Sequence, residues 1–131
     1  MRPRPKWSKI WCNEGGATAL EFSLLAPVFF MLVFGIVALG MLFWTQVGLQ
    51  HGVEMAARCV SVNAVLCPSS NPSAVTNYAT QQALGLSLPP STFTYSTPAC
   101  GNQVSGSYTF EFPAILNLTP LTVTAQSCFP A

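Results

Sequence analysis

The feature that most limits what this chain can fold into is an uncharged apolar run of 23 residues, from Phe22 to Trp44. The run carries one hydroxyl group, on Ser23, and one proline, Pro27. At about 1.5 Å per residue, a helix of this length covers the ~30 Å hydrocarbon core of a bilayer. The run therefore predicts a single transmembrane helix.

Basic residues lie mostly on the N-terminal side of this run. Those that precede it are Arg2, Arg4, Lys6 and Lys9, and only Arg58 follows it. The positive-inside rule predicts that residues 1 to 16 stay in the cytoplasm and that the chain beyond about Gln46 lies on the far side. A cleaved secretory signal is the alternative, but its apolar core is about 7–15 residues long and ends at a small-residue cleavage site. This run is longer and lacks such a site.

The composition excludes several classes of function. Charged residues make up only 7% of the chain, and no basic patch that could bind nucleic acid exists outside the first nine residues. The chain has no aspartate and a single histidine, His51, which we interpret as a solvated helix residue. No serine or cysteine has a base at motif spacing, and no phosphate-binding loop follows a strand. We therefore expect no enzyme activity and no cofactor, and a membrane-tethered hydrolase has no supporting residues.

The helical periodicity of apolar residues continues beyond the apolar run. Apolar residues recur at three- and four-residue steps, and polar residues occupy the other side. The apolar set is Val47, Leu49, Val53, Ala56, Ala57 and Val60, and the polar set is Gln46, Gln50, Glu54 and Arg58. Glu54 and Arg58 have the spacing of a favourable helix pair, whereas Gly48 and Gly52 weaken the helix locally. We predict one long helix that ends near residues 63 to 67.

Shorter elements follow. Asn71 and Pro72 are typical of a helix start, and Gly85 of a stop, which predicts a second helix over roughly residues 72 to 84 with one apolar stripe. The members of that stripe are Val75, Tyr78, Ala79 and Ala83.

Residues 104 to 112 alternate between apolar and polar side chains, as do residues 121 to 128. In the first strand, the apolar face is formed by Val104, Gly106, Tyr108, Phe110 and Phe112, and in the second by Leu121, Val123 and Ala125. A weaker third strand carries Phe93 and Tyr95. The predicted fold class is α+β: a long N-terminal transmembrane and amphipathic helix, a short second helix, and a small antiparallel sheet backed by the long helix.

The N-terminal segment also carries a recognisable motif. A basic leader ends at Gly16, Glu21 is the fifth residue after it, Phe22 follows, and the apolar run with Pro27 comes next. This arrangement resembles a type IVb-type prepilin, and in particular the TadE-like pseudopilins, or minor pilins, of the Tad (Flp) tight-adherence pilus system. Major Flp pilins usually show Glu-Tyr and are very short. The Glu21–Phe22 pair and the length of this chain fit the pseudopilin branch better.

The resemblance implies a maturation step and a role for Glu21. A dedicated prepilin peptidase would cut between Gly16 and Ala17, creating a new amino group at Ala17. Glu21 lies one helical turn further along the same face. In a filament, its carboxylate would meet the terminal amine of a neighbouring subunit, so that Glu21 and Phe22 set the subunit register. The simpler alternative is that Glu21 only marks the membrane interface.

The resemblance also implies a location and partners. The expected division is a cleaved leader at 1–16, a transmembrane helix that continues as an amphipathic helix over 17–66, and an exported α+β domain at 67–131. The protein would cross the bacterial inner membrane once, with its C-terminal domain in the periplasm, before entering an extracellular adhesive pilus. Its partners would be the prepilin peptidase, the major Flp-type pilin, other minor pilins and the inner-membrane assembly platform.

Four cysteines remain after removal of Cys12 with the leader, and all lie in the exported part, where disulfides persist. Four cysteines allow three connectivities, and the sequence does not fix one. We favour Cys100–Cys128, which flank the strand pair, and Cys59–Cys67, which would clamp the end of the long helix. A zinc site is the alternative, but no C-x-x-C pair is present.

A second class of function fits the same sequence. A single-pass membrane anchor could hold a periplasmic binding or scaffold domain without ever being polymerised. Such a protein needs neither a cut after Gly16 nor a free amine beside Glu21. Processing therefore distinguishes the two classes.

Overall fold

The computed structural model describes residues 15–114 and 118–130, with residues 15–17 described by their backbone alone. Its helices are α1 (Gly15–Val62) and α2 (Pro72–Gln81), and a short 3₁₀ turn covers Pro90–Thr92. Its strands are β1 (Phe93–Ser96), β2 (Asn102–Phe110) and β3 (Leu121–Phe129). The chain divides into an N-terminal unit, Met1–Val37, and a C-terminal unit, Ala38–Ala131. The predicted leader lies outside the described residues, apart from the backbone of its last two.

The described part of the N-terminal unit is helical and apolar on all sides. Its large side chains are exposed; Leu24, for example, is 72% exposed and Phe29 61%. The described residues contain one helix, Thr18–Val62, that is long and apolar enough to cross a membrane, and only 6% of its most apolar window is buried. The core helix of a soluble protein would be mostly buried. This surface therefore fits a helix whose solvent is lipid.

In the C-terminal unit, one side of α1 forms the centre of the core. Leu49, Val53, Ala56 and Ala57 are fully buried there, and Val60 is nearly so. This is the predicted apolar set with one exception, because Val47 is 57% exposed. The helix ends at Val62, slightly before the predicted end, and residues 63–67 form a turn.

Two glycines let α1 approach its neighbours closely. A Cβ atom on Gly48 would lie 2.9 Å from the backbone oxygen of Ala83, and one on Gly52 would lie 2.9 Å from that of Ala79. Any side chain larger than hydrogen would push the backbones apart. The sequence predicts only that these glycines weaken the helix, whereas the structure shows that they permit the packing of α1 against the α2 segment.

Helix α2 starts where the sequence predicts and ends earlier. Pro72 is its first residue after Asn71, although the Asn71 side chain makes no capping hydrogen bond. Val75, Ala79 and Ala83 are fully buried, which confirms the predicted apolar stripe. The helix ends at Gln81 rather than near residue 84, and Ala83 occupies the turn that follows.

The three strands form one antiparallel sheet in the order β1-β2-β3. Phe93 pairs with Gly106, and Gly106 pairs with Ala125, so these three residues lie in one row on the core face. Buried residues alternate with less buried ones along β2 near Val104 and Gly106, as expected for a half-buried strand. Two predicted inward positions differ. Leu121 is 48% exposed at the start of β3, and Phe112 lies beyond the end of β2.

Strand β3 runs alongside α1 in the same direction. The Gln46 side chain donates a hydrogen bond to the Thr124 carbonyl (3.1 Å), and the Ser61 hydroxyl donates to the Pro130 carbonyl (3.0 Å). The distance from Gln46 to Ser61 along a helix is about 22 Å. The six residue steps from Thr124 to Pro130 span about 20 Å along a strand, which matches the distance along the helix.

The α+β fold predicted from the sequence, with a sheet backed by the long helix, is confirmed.

Candidate functional site

The first candidate site is the start of α1. The helix begins at Gly15, so the backbone from Gly16 through Glu21 is already helical. Ala17 and Glu21 lie one turn apart, about 6 Å along the axis. The Glu21 side chain is exposed, and Phe22 is 70% exposed beside it. The carboxylate is therefore available to a group outside the described part of this chain.

Polar side chains within the apolar helix are satisfied by the helix itself. The Ser23 hydroxyl donates to the Leu20 carbonyl (2.8 Å), and the Thr45 hydroxyl donates to the Met41 carbonyl (2.9 Å). Pro27 lies inside α1, where its missing N–H removes one backbone hydrogen bond without ending the helix. In a bilayer, where water offers no partners, this internal satisfaction lowers the cost of both hydroxyl groups.

The four cysteines beyond the apolar run form two disulfides. Cys59 joins Cys67 with an S–S distance of 2.00 Å, and Cys100 joins Cys128 with 1.95 Å. These are the two pairs favoured from the sequence. The first closes the turn that ends α1, and the second links the turn before β2 to the end of β3. Bonded sulfurs have no thiolate to offer zinc.

The structure gives His51 a role that the sequence does not indicate. The residue is half-buried, and its Nδ1–H donates to the Gln82 carbonyl over 2.8 Å. This bond ties α1 to the C-terminal end of α2. The interpretation of His51 as a solvated residue was therefore wrong. A lone histidine on a polar helix face gives no sequence signal for such a contact, because its partner is a backbone carbonyl 31 residues away.

The predicted pairing of Glu54 with Arg58 is replaced by other contacts in the described residues. Glu54 accepts a hydrogen bond from the Gln50 side chain (3.1 Å). The Arg58 guanidinium lies over the Phe129 ring, 5.7 Å from its centroid, within the range of a cation–π interaction. Arg58 thus stabilises the contact between the end of α1 and the end of β3.

No group of three or more histidine, cysteine, aspartate or glutamate residues that could hold a metal ion occurs within residues 15–114 and 118–130. What this part of the chain offers instead is an exposed carboxylate at the start of an apolar helix. It also offers a disulfide-closed unit packed on the other half of that helix.

Comparison with known proteins agrees with this arrangement. The family model described as TadE-like protein matches residues 16–58, about a third of the chain. No curated protein and no solved structure matches the chain. TadE-like pilus proteins are structural proteins rather than enzymes. The match supports a role in the Tad pilus system and, with the apolar helix, fits a membrane-anchored protein. The resemblance indicated by Gly16 and Glu21 is thereby confirmed: residues 16–58 are similar to TadE-like proteins.

Proposed function

We propose that this chain is a minor pilin, or pseudopilin, of a Tad/Flp-type adhesive pilus. The observation that carries the proposal is the TadE-like match, which begins at Gly16, the residue after which a prepilin peptidase would cut. The chain is inserted into the bacterial inner membrane and cut between Gly16 and Ala17. It then joins the major Flp-type pilin and other minor pilins through the inner-membrane assembly platform.

The surface of α1 suits both the membrane-inserted stage and the assembled stage of the protein. In the N-terminal unit its large apolar side chains are exposed, including Phe30 at 52% and Phe34 at 49%. Before assembly, lipid covers such a surface. During assembly, helices of neighbouring subunits replace the lipid at little cost, because acyl chains and apolar side chains are equally apolar. The same side chains therefore serve as anchor and as packing surface.

Glu21 supplies the directional element that apolar packing lacks. After cleavage, the new amine of Ala17 carries a positive charge at the end of an apolar helix. An exposed carboxylate on a neighbouring subunit can neutralise it. Such a buried pair adds little net stability, but a subunit placed out of register leaves one charge unpaired at a cost of about 3–5 kcal/mol. The register between neighbouring subunits is thus set by the free-energy cost of leaving a charge unpaired.

The C-terminal unit fits the oxidising side of the membrane. Its two disulfides form and persist in the periplasm and are rare in the cytoplasm. A periplasmic location agrees with the four basic residues that precede the span. This unit would be the part of the subunit that other pilus components or a surface encounter.

Processing tests the proposal directly. The full chain is expressed in a host with its prepilin peptidase, and its intact mass is measured after purification from membranes. The wild-type protein should lose residues 1–16, and Gly16→Leu should stay full length. Gly15→Leu is the matched control and should still be cut. Retention of Met1 in the wild type while the peptidase processes its other substrates would contradict the proposal.

A membrane-anchored scaffold that never polymerises is the second candidate. It is favoured by the disulfide-closed unit, which needs no partner to bury its core. A scaffold would remain uncut and would not copurify with the major pilin. Pull-down of the major pilin with the processed chain separates the two, since only a pilus subunit should satisfy both conditions.

A further inference from the structure

The end of the sheet at which β2 stops and β3 begins lies near residues 39 to 44 of α1, which belong to the same C-terminal unit. Gln46 of α1 contacts Thr124, and β3 starts three residues earlier, at Leu121. Because β3 and α1 run in the same direction, Leu121 lies up to about 10 Å further toward the N-terminal end of α1. That distance is between one and two helical turns. Leu121 is therefore level with the last two turns of the uncharged run, within residues 39 to 44.

This end of the sheet is apolar. We call it the sheet tip and define it by four residues: Phe110, Phe112, Leu118 and Leu121. The leucines are 56% and 48% exposed, and the phenylalanine rings pack edge to face with their centroids 5.2 Å apart. On α1, Met41, Phe43 and Trp44 are also more than half exposed. Water-exposed apolar residues on both elements at one level point to a common apolar environment.

We infer that the sheet tip is a second lipid-contacting surface, which rests in the interfacial layer of the bilayer that α1 crosses. The inference depends on the membrane anchoring that is part of the proposed function, and it adds a contact made by the exported unit. Trp44 marks the same layer, because tryptophan side chains concentrate at membrane–water interfaces. The tip would thus fix the height and tilt of the exported unit above the membrane before assembly.

The chemistry of the tip indicates what kind of lipid contact this is. The described residues from Phe110 to Leu121 include one charged side chain, Glu111, and no basic one. Anionic lipids therefore have no partner on the tip. Contact depends on burying leucine and phenylalanine side chains at the boundary of headgroups and acyl chains. Zwitterionic phosphatidylcholine should be sufficient.

Tryptophan fluorescence in bilayers with brominated acyl chains tests this inference. The full chain carries Trp7→Phe, Trp11→Phe and Trp44→Phe, with one tryptophan returned at the tip by Leu118→Trp. A second probe, Leu121→Trp, guards against a single misfolded variant. The matched control is Val65→Trp, since Val65 is apolar and 95% exposed but follows the far end of α1. Each protein is reconstituted at one copy per phosphatidylcholine nanodisc.

We expect both tip probes to lose most of their emission to the bromines and to shift to the blue, while the Val65→Trp probe stays unquenched. Replacing part of the phosphatidylcholine by phosphatidylglycerol should not increase the quenching. Tip probes quenched no more than the Val65→Trp probe would overturn the inference. So would a blue shift without quenching, which would indicate that protein, such as a second copy, covers the tip.

A protein with Trp44 as its sole tryptophan separates this inference from the proposed function. If Trp44 is quenched and the tip probes are not, α1 is anchored and only the lipid contact of the tip is wrong. If Trp44 is also unquenched, the membrane anchoring itself fails, and the inference fails with it.

Discussion

The Tyr95 hydroxyl donates a 2.7 Å hydrogen bond to Oδ1 of Asn102, whose Nδ2 donates in turn to the Ser61 hydroxyl at 3.3 Å. Asn102 is 6% exposed, so this side chain joins β1, β2 and α1 inside the C-terminal unit. The Ser61 hydroxyl in turn donates a hydrogen bond to the Pro130 carbonyl. One buried amide therefore holds three elements together.

Substitution of this amide should destabilise the fold. We expect Asn102→Leu to lower the free energy of unfolding by about 1–3 kcal/mol, because two hydrogen-bonding groups lose their buried partner. Asn77→Ala, on the exposed side of α2, is the control and should change it by less than about 0.5 kcal/mol. Urea denaturation of the full chain in detergent measures both. Equal stability of the two variants would show that the network contributes nothing.

The glycines of α1 should respond differently to the same substitution. Gly52→Ala places a Cβ 2.9 Å from the Ala79 oxygen and 3.4 Å from the Phe93 ring. Overpacking of this kind typically costs about 1–3 kcal/mol, which exceeds the gain in helix propensity of about 1 kcal/mol. Gly40→Ala has nothing within 4 Å and should be neutral or stabilising. Thermal unfolding in detergent compares them, and a stabilised Gly52→Ala would contradict the close approach.

The two disulfides should differ in their contribution to stability. Their sequence separations are 28 residues for Cys100–Cys128 and 8 for Cys59–Cys67. When a cysteine pair is replaced by serine, loop-closure entropy predicts that the free energy of unfolding falls. The expected decrease is about 3.5 kcal/mol for Cys100–Cys128 and about 2.5 kcal/mol for Cys59–Cys67. Peptide mapping without reduction should recover both pairs from the native protein. Four free thiols, or a Cys67–Cys100 link, would refute the pairing.

Glu21→Gln should separate processing from assembly. Cleavage should continue, because the cut lies outside the substituted position, whereas copurification with the major pilin should be lost as the neighbouring amine is left unpaired. Glu54→Gln, whose carboxylate already accepts a bond from Gln50 in its own chain, is the matched control and should be incorporated normally. A Glu21→Gln protein that is both cut and incorporated at the wild-type level would leave Glu21 only an interfacial role.

The orientation of the span can be tested with a phosphatase that is active only outside the cytoplasm. Fused after Ala131, it should be active, because the basic residues before the span retain the leader inside. Fused after Glu14, it should be inactive. The reverse pattern would place the cysteines in the cytoplasm and remove the argument for disulfides.

The elements of this fold could be predicted because each follows a local pattern. The period-two alternation around Val104 defines β2, and the proline after Asn71 marks the start of α2. The predicted burial is wrong where a residue's position in the unit, rather than its sequence pattern, determines whether it is buried. Val47 lies two residues from both Thr45 and Leu49, which are buried, and a step of two residues turns it by about 200° to the opposite face of α1. Leu121 fits its alternating pattern, but it is the first residue of β3 and lies at the end of the sheet.

The contacts between elements were less accessible to sequence reasoning. The hydrogen bonds of His51 and Asn102 join residues 31 and 41 positions apart, and neither has a spacing signal. From the sequence, Gly52 is only a residue that weakens the helix, whereas the structure shows that it allows Ala79 to approach α1 closely. By contrast, the motif at Gly16 and Glu21 is local, which is why the sequence alone indicated the resemblance to TadE-like proteins.

Neither disulfide crosses between α1 and the sheet. One closes the turn after the helix, and the other links β3 to the turn before β2. Within the described residues, the side chains that link α1 to the sheet therefore do so through non-covalent contacts, such as that of Gln46 with Thr124. Because β3 lies along α1 in the same direction, an axial force loads these contacts in shear, many at once, rather than peeling them apart one by one. The contacts between α1 and β3 are thus oriented to resist an axial pull on the helix.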